Sequence, residues 1–258
     1  MNVQLNRGNG SFGFRSFFFI LIVAMTFFTV SAQTYSQLCL KYNVAESQRG
    51  PIRQFLLTAS QEERNLIILV NKNTGVTVSY KPADLVSIPA AIPHALDTMK
   101  LRSLLIPDLQ SMVSDAQKDG VQLRVVSAFR SYETQQRIFN GMIQQYGKEY
   151  AQRVSAPPGH SQHQLGTAID FNSLEEEFGD SPEGKWLAQN AYKYGFVISY
   201  PKGREAYTGY MYEPWHYRYL GKRSALIAMM VFSDDQESFL RFAAEFYALP
   251  DDAQQNDS

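Results

Sequence analysis

The run Ser161-Gln162-His163-Gln164-Leu165-Gly166-Thr167-Ala168-Ile169-Asp170, answered further along by Glu213-Pro214-Trp215-His216, constrains the fold more than any other feature of the chain. Two histidines and an aspartate are the donor set a tetrahedral zinc needs when its fourth position stays open for water. They can act together only in a fold that brings two distant segments side by side. His163 and Asp170 lie seven positions apart, with Gly166 between them; a glycine there lets the backbone bend or approach closely. His216 comes from a separate segment, and Glu213, three positions before it, is placed to act as a base on the water. Either histidine alone reads as an ordinary surface or core residue. The chain has only four histidines, however, and two of them stand beside Asp170 and Glu213. The combination reads as the centre of a metal-dependent hydrolase.

The neighbouring candidates read differently. His160 follows Pro157-Pro158-Gly159 in a loop, and a fourth protein ligand would close the position that water needs, so it is expected at the rim. His94, between Pro93 and Ala95, reads as structural. Glu175-Glu176-Glu177 reads as a solvated face. Arg130, in Ser127-Ala128-Phe129-Arg130-Ser131, ends an expected strand. A peptidase needs a cation near the developing oxyanion, and a carboxypeptidase must also hold a free carboxylate, which arginine does with two parallel hydrogen bonds. Taken alone, Arg130 reads first as a surface residue capping the next helix.

The chain has 258 residues, room for one ordinary domain plus appendages. Hydrophobic residues make up 45%, enough for a packed core, and a net charge of -1 argues against a nucleic-acid binder held by phosphate contacts. Residues 1–32 read as a signal peptide: Arg7 and Arg15 precede the apolar run Phe17 to Val30, and Val30-Ser31-Ala32 supplies small residues before Gln33. The apolar run is shorter than the roughly 20 residues of a spanning helix; the alternative is an uncleaved anchor that would leave the protein associated with the membrane. Either way the remainder is expected outside the cytoplasm, in the periplasm or cell envelope. Cys39 is the only cysteine, so no internal disulfide is possible, and a free, partly buried thiol is expected.

Residues 33–70 read as a helical extension, residues 71–245 as the main domain and 246–258 as a polar tail. Within them, 67–70 and 76–80 are expected as two short strands around Asn71-Lys72-Asn73-Thr74-Gly75. Residues 101–119 carry apolar positions at helical spacing and stop at Gly120. A strand over 121–129, a helix from Ser131, a strand over 167–171, a helix over 186–194, a strand over 196–200, a loop over 202–210, a strand through 215–217 and a last helix over 239–247 follow.

These residues resemble the VanY-type D-alanyl-D-alanine carboxypeptidase family of zinc peptidases. The matching motifs run in order: Tyr80-Lys81-Pro82-Ala83-Asp84-Leu85-Val86, then Ser127 to Tyr132 with Gln135, then Ser161-x-His163-x-x-Gly166-x-Ala168-x-Asp170, then Trp186-Leu187 and Tyr194-Gly195-Phe196, and finally Glu213 to Gly221. The similarity spans roughly residues 78–242, and the first metal motif with the closing motif is specific as a pair. The resemblance implies an α+β fold, a small antiparallel sheet flanked by helices with the zinc site on the sheet. It implies Zn2+ held by His163, Asp170 and His216, with Glu213 activating water and Arg130 stabilising the tetrahedral intermediate. Gln135 and Ser161 would contact the terminal residue of the substrate, and Trp215 would line the pocket. The implied substrate is a peptidoglycan stem peptide losing its last D-alanine, at a D-Ala-D-Ala or an L,D bond, with a monomer expected to act alone. An endopeptidase on the same scaffold and a non-catalytic wall-binding module are the competing readings.

Overall fold

The computed structural model describes residues 33–255; the expected signal peptide lies outside them. Two hydrophobic clusters sit on opposite faces of one sheet, and the order of the chain decides which segments build each. Three helices come first: α1 (Tyr35–Lys41), α2 (Glu46–Thr58) and α3 (Gln61–Leu66). Thr34 and Ser60 start α1 and α3 with reciprocal capping boxes, in which each side chain accepts a backbone N–H and the glutamine or glutamate three residues on reaches back. Then come β1 (Leu85–Ser87), β2 (Lys100–Arg102), α4 (Ile106–Lys118), β3 (Val125–Ser127), α5 (Tyr132–Tyr146), α6 (Lys148–Val154) and β4 (Ala168–Phe171). The chain continues through α7 (Pro182–Asn190), β5 (Phe196–Ile198), α8 (Glu205–Thr208), β6 (His216–Tyr219), α9 (Lys222–Phe232), α10 (Gln236–Ala248) and α11 (Asp251–Gln255).

The main sheet has four antiparallel strands in the order β3-β4-β6-β5, and β1 pairs separately with β2. Side chains alternate between the faces of a strand. Ile169, Phe171, Phe196, Ile198, Tyr217 and Tyr219 therefore face one way, into a core closed by Leu109, Met112 and Ala116 of α4 and by Leu187 of α7. Ala168, Asp170, Val197, His216 and Arg218 face the other way. There Val197 meets the second core, built from α1, α2, α9 and α10. Phe239, Phe242 and Phe246 of α10 are fully buried in it, with Tyr35 packing edge-on against Phe242 and Phe246. Cys39 is also fully buried there.

The fold is the α+β arrangement expected, and its departures from the element-by-element reading have physical causes. No strands form at 67–70 or 76–80. Oδ1 of Asn71 accepts from the backbone N–H groups of Asn73 and Thr74, at 2.9 Å each, and closes the turn. The carbonyls of Leu66 and Ile68 accept instead from Nη2 of buried Arg218, at 2.9 and 2.8 Å, and Val76 N–H donates to Gly159. With those groups engaged elsewhere, no ladder is left to build. The helix expected from Leu101 begins at Ile106, because Leu101 is drawn into β2 opposite Val86. Pro107 sits in its first turn, where a missing N–H costs nothing. The strand expected over 121–129 is confined to Val125–Ser127; beyond it, Phe129 N–H donates to Lys100 and Arg130 N–H to His163. Helices α6 and α9 occupy stretches with no element assigned, α8 forms in an expected loop, and part of the expected tail is helical in α11.

Candidate metal centre

Sheet register places two of the three candidate ligands. Asp170 on β4 and His216 on β6 are direct cross-strand partners on one face, so their side chains stand side by side. The third ligand needs a turn. Gln162–Leu165 forms a single 3-10 turn capped by Ser161, whose Oγ accepts from His163 N–H, and Gly166 ends it in the left-handed region at φ +68°. The turn tips His163 towards the sheet just before the chain enters β4. Gly166 is required for space as well as conformation, since a Cβ there would lie 2.8 Å from Cδ2 of Leu85.

His163, Asp170 and His216 are all buried, and one donor atom from each lies within 4.8 Å of the other two. Nδ1 of His163 is 2.7 Å from the carbonyl oxygen of Ala128. A carbonyl can only accept, so Nδ1 carries the proton and Nε2 presents a lone pair. That Nε2 is buried without a hydrogen-bond partner, although Oδ2 of Asp170 is only 3.2 Å away. Nδ1 of His216 lies 2.9 Å from Oδ1 of Asp170 and 3.6 Å from Oε2 of Glu213. Burial, then the charge of Arg130, pushes the His163 imidazole down to about 4, so it is neutral near neutral pH. Buried lone pairs converging on a carboxylate fit a cation, and two imidazoles with one carboxylate fit zinc.

The other expected residues are brought to the same place. Glu213 precedes β6 in a turn held by its own N–H on the Tyr200 carbonyl and by His216 N–H on its carbonyl. Burial first, and the nearby Asp170 second, push its carboxyl well above the usual carboxylate range. Arg130 donates through Nη1 to Oε1 of Gln135 at 2.9 Å, and its Nη2 is 4.0 Å from Oδ2 of Asp170. Gln135 is buried and uses its amide hydrogens on Oγ of Ser155 and the Ala156 carbonyl, so its side chain orients Arg130. Arg130, Gln135, Ser161, Glu213 and Trp215 all line one cavity of about 750 Å³ with the three ligands. That volume is ordinary for a ligand site.

Neighbours not foreseen from the sequence join them. Tyr200 stacks obliquely on the His216 ring at 5.0 Å between centroids, and Tyr210 lines the cavity with its buried hydroxyl unpartnered. The exposed Glu175-Glu176-Glu177 run borders the cavity, so the face it solvates is the rim of the site. His160 is not part of that rim. Its Nδ1 bonds the Asn71 carbonyl at 2.8 Å and its ring packs against Gly75. His94 bonds the Ile92 carbonyl at 2.7 Å, as a structural residue should.

Residues 98–222 match the family model VanY, D-alanyl-D-alanine carboxypeptidase. In three dimensions the chain is similar to a VanY D,D-pentapeptidase from a VanB-type resistance cassette solved with zinc, at a TM-score of 0.58 and 30% identity, covering 68% of this chain and 99% of that one. The chain belongs to the VanY-type D-alanyl-D-alanine carboxypeptidase family. The chain is also similar to the LdcB LD-carboxypeptidase, with a TM-score of 0.63 and 38% identity, over 70% of this chain and 88% of that one. The Bacillus subtilis (strain 168) protein YodJ is 39% identical over 179 residues, which is 66% of this chain and 66% of YodJ. The chain thus spans about two thirds of the length of that relative.

Proposed function

We propose that this chain is an exported zinc carboxypeptidase that removes the C-terminal D-alanine from peptidoglycan stem peptides. One observation carries the reading. Three cation-ready donor atoms, a carboxyl disposed to hold a proton and an oriented guanidinium all open onto one cavity. A wall-binding module has no use for that combination.

When bound, zinc would supply Lewis acidity, drawing the pKa of a water down to about 7. His163 through Nε2, Asp170 through a carboxylate oxygen and His216 through Nδ1 would hold it. Glu213 takes the proton of the attacking water on Oε2 and delivers it to the nitrogen of the departing amino acid. The water oxygen joins the carbonyl carbon as the peptide C–N bond breaks, so charge and atoms balance. Arg130 offers its fork to negative charge, at the developing oxyanion or at the free terminal carboxylate, and Gln135 keeps the fork from swinging away. Ser161 and Trp215 form cavity wall against which the terminal residue would pack. No covalent intermediate on a protein side chain is required, so reagents that trap active-site serines should leave the activity intact.

The solved relatives are named for both D,D and L,D bonds, and the test resolves that choice. Purified protein is incubated with pentapeptide and tetrapeptide muropeptides, with and without chelator, and products are read by mass. Loss of one alanine from the pentapeptide, abolished by chelator, marks D,D activity; loss from the tetrapeptide marks L,D activity. If zinc binds and neither substrate shortens, the carboxypeptidase reading fails. Cleavage inside the peptide or its crosslink would instead identify an endopeptidase.

A further inference from the structure

His216 faces the candidate ion with Nδ1, so something must keep the proton on its other nitrogen. The protein does not place a carbonyl there, as it does for His163. It places Oε1 of Gln162, 3.2 Å from Nε2 of His216. An amide alone cannot fix a tautomer: turned over, it would present an NH2 group to Nε2 and force the proton onto the nitrogen that must bind the ion. The orientation of Gln162 therefore matters, and the structure contains the group that sets it.

Gln162, Ser199 and Gln236 are buried, at 5%, 2% and 1% exposure, and bonded to one another. Nε2 of Gln236 lies 3.0 Å from the main-chain carbonyl of Val197, an acceptor that cannot be turned over. This places the NH2 group of Gln236 on the strand side and its Oε1 towards Gln162. Nε2 of Gln162 then donates to Oε1 of Gln236 at 3.3 Å, which leaves Oε1 of Gln162 facing His216. Ser199 closes the ring, accepting from Nε2 of Gln236 at 3.1 Å and donating to Oε1 of Gln162 at 2.7 Å. Each of the three side chains both donates and accepts in this arrangement. Reversing Gln162 would set its oxygen against the oxygen of Gln236 and its NH2 against the ring nitrogen. A buried mismatch of that kind leaves polar groups unpaired away from water and is disfavoured.

We infer that Gln162, Ser199 and Gln236 are positioning residues that hold His216 in the Nε2-protonated form, with Gln236 as the anchor. The inference rests on the metal reading above and extends it to α10, whose first residue is Gln236 and which lies beyond the residues 98–222 matched by the family model. The second core is thus more than a support for the sheet. Phe239 and Phe242 fix α10, α10 fixes Gln236, and Gln236 fixes the polarity of a ligand through one intervening amide.

The test uses the full chain, labelled with 15N-histidine and free of metal, at a pH above the ordinary imidazole range of about 6.5. With only four histidines the ring signals can be assigned by single replacement. Nδ1 of His216 also faces the Asp170 carboxylate at 2.9 Å, so the two acceptors compete for the proton; the parent should carry it on Nε2, and a proton on Nδ1 alone overturns the inference without any variant. In Gln236→Leu and Gln162→Leu the His216 pattern should move towards the other tautomer, with His163 unchanged. Zinc affinity, measured by competition with a chromogenic chelator, should fall about tenfold or more, the usual consequence of losing the group behind a ligand. Gln162→Glu keeps an acceptor opposite Nε2 but sets its second oxygen against Oε1 of Gln236, so it should retain the Nε2 tautomer while melting below the parent. Variants that melt like the parent, bind zinc as tightly and keep the same tautomer would sink the idea. If the parent shows the Nε2 proton yet binds no zinc, the metal reading fails and the tautomer lock stands.

Discussion

Glu213 is the side chain whose removal should separate holding an ion from doing chemistry under the proposed function. It lies 3.6 Å from Nδ1 of His216 but is not one of the three converging donors. Glu213→Gln should keep zinc affinity within about threefold while the cleavage rate falls on the order of a hundredfold to ten-thousandfold, the range for a positioned acid–base group. Dialysis against zinc with a metal assay, beside turnover measurements, checks both halves. His163→Ala should do the reverse of sparing: bound zinc and activity are lost together. Arg130→Lys retains the charge but not the fork or its bond to Gln135, so kcat/KM for a substrate with a free terminal carboxylate should drop by about tenfold or more. An amidated substrate should show a much smaller difference between parent and variant if the fork holds that carboxylate. All eight expected site residues share one cavity; the three ligands and Glu213 were legible from their chemistry, whereas Gln135, Ser161 and Trp215 came only with the family resemblance. Histidine and aspartate in fixed spacing are rare without a metal. Gln162, Ser199 and Gln236 carry no such signature, because an amide or hydroxyl acquires its role only from the neighbour it meets.

At the scale of elements, two turns are open to direct test. Gly166→Ala places a Cβ 2.8 Å from Leu85 Cδ2 in a left-handed conformation, so the turn that aims His163 must shift. Stability should fall by about 1 kcal/mol or more, and zinc affinity should fall with it. The second turn joins α9 to α10, where Ser233 and Asp234 both adopt positive φ, 54° and 63°. Burial, and then neighbouring Asp235, push the Asp234 carboxyl up to about 7. The folded chain therefore keeps a proton that the unfolded chain releases near about 4, so stability should decline as pH rises from about 4 to about 7 and level off above. Asp234→Asn, well suited to that backbone conformation, should add on the order of 1–2 kcal/mol at pH 8 and nothing at pH 4, as read by thermal melts at the two values. Helices with clear apolar spacing and good stops were readable, as in α4 and α10. The absent hairpin at 67–80 was not, because β-propensity says nothing about whether Arg218 will take the carbonyls that a partner strand would need.

At the scale of the molecule, the N-terminal helices share a core with α9 and α10 on the same face of the sheet as the candidate ligands, and that core reaches the site through Gln236. Phe242 is fully buried there, edge-on to Tyr35 and Tyr42. Phe242→Ala should cost about 3–5 kcal/mol in denaturant unfolding, the usual range for emptying such a site. It should also lower zinc affinity in whatever fraction stays folded, since α10 carries Gln236. A chain beginning at Val70 would leave the apolar faces of α9 and α10 uncovered and strip the Leu66 and Ile68 carbonyls from Arg218. It should aggregate or melt far below the parent. If it instead melts like the parent and binds zinc equally well, residues 33–69 are an appendage and not part of the folding unit.

What the sequence by itself determined was the family, through two short motifs whose residue types suit the proposed ion site and proton transfer. The α+β class came with the family resemblance, and the local alternation and helical spacing were compatible with it. The tertiary structure alone decided that β4 and β6 pair with Asp170 opposite His216, that the N-terminal and C-terminal helices close one core, and that a carbonyl on β5 can set the polarity of a ligand through Gln236 and Gln162. The physical reason is common to all three. Hydrogen-bond polarity, strand register and core closure belong to pairs of groups far apart in the chain, and their free energy does not exist until the fold brings them into contact.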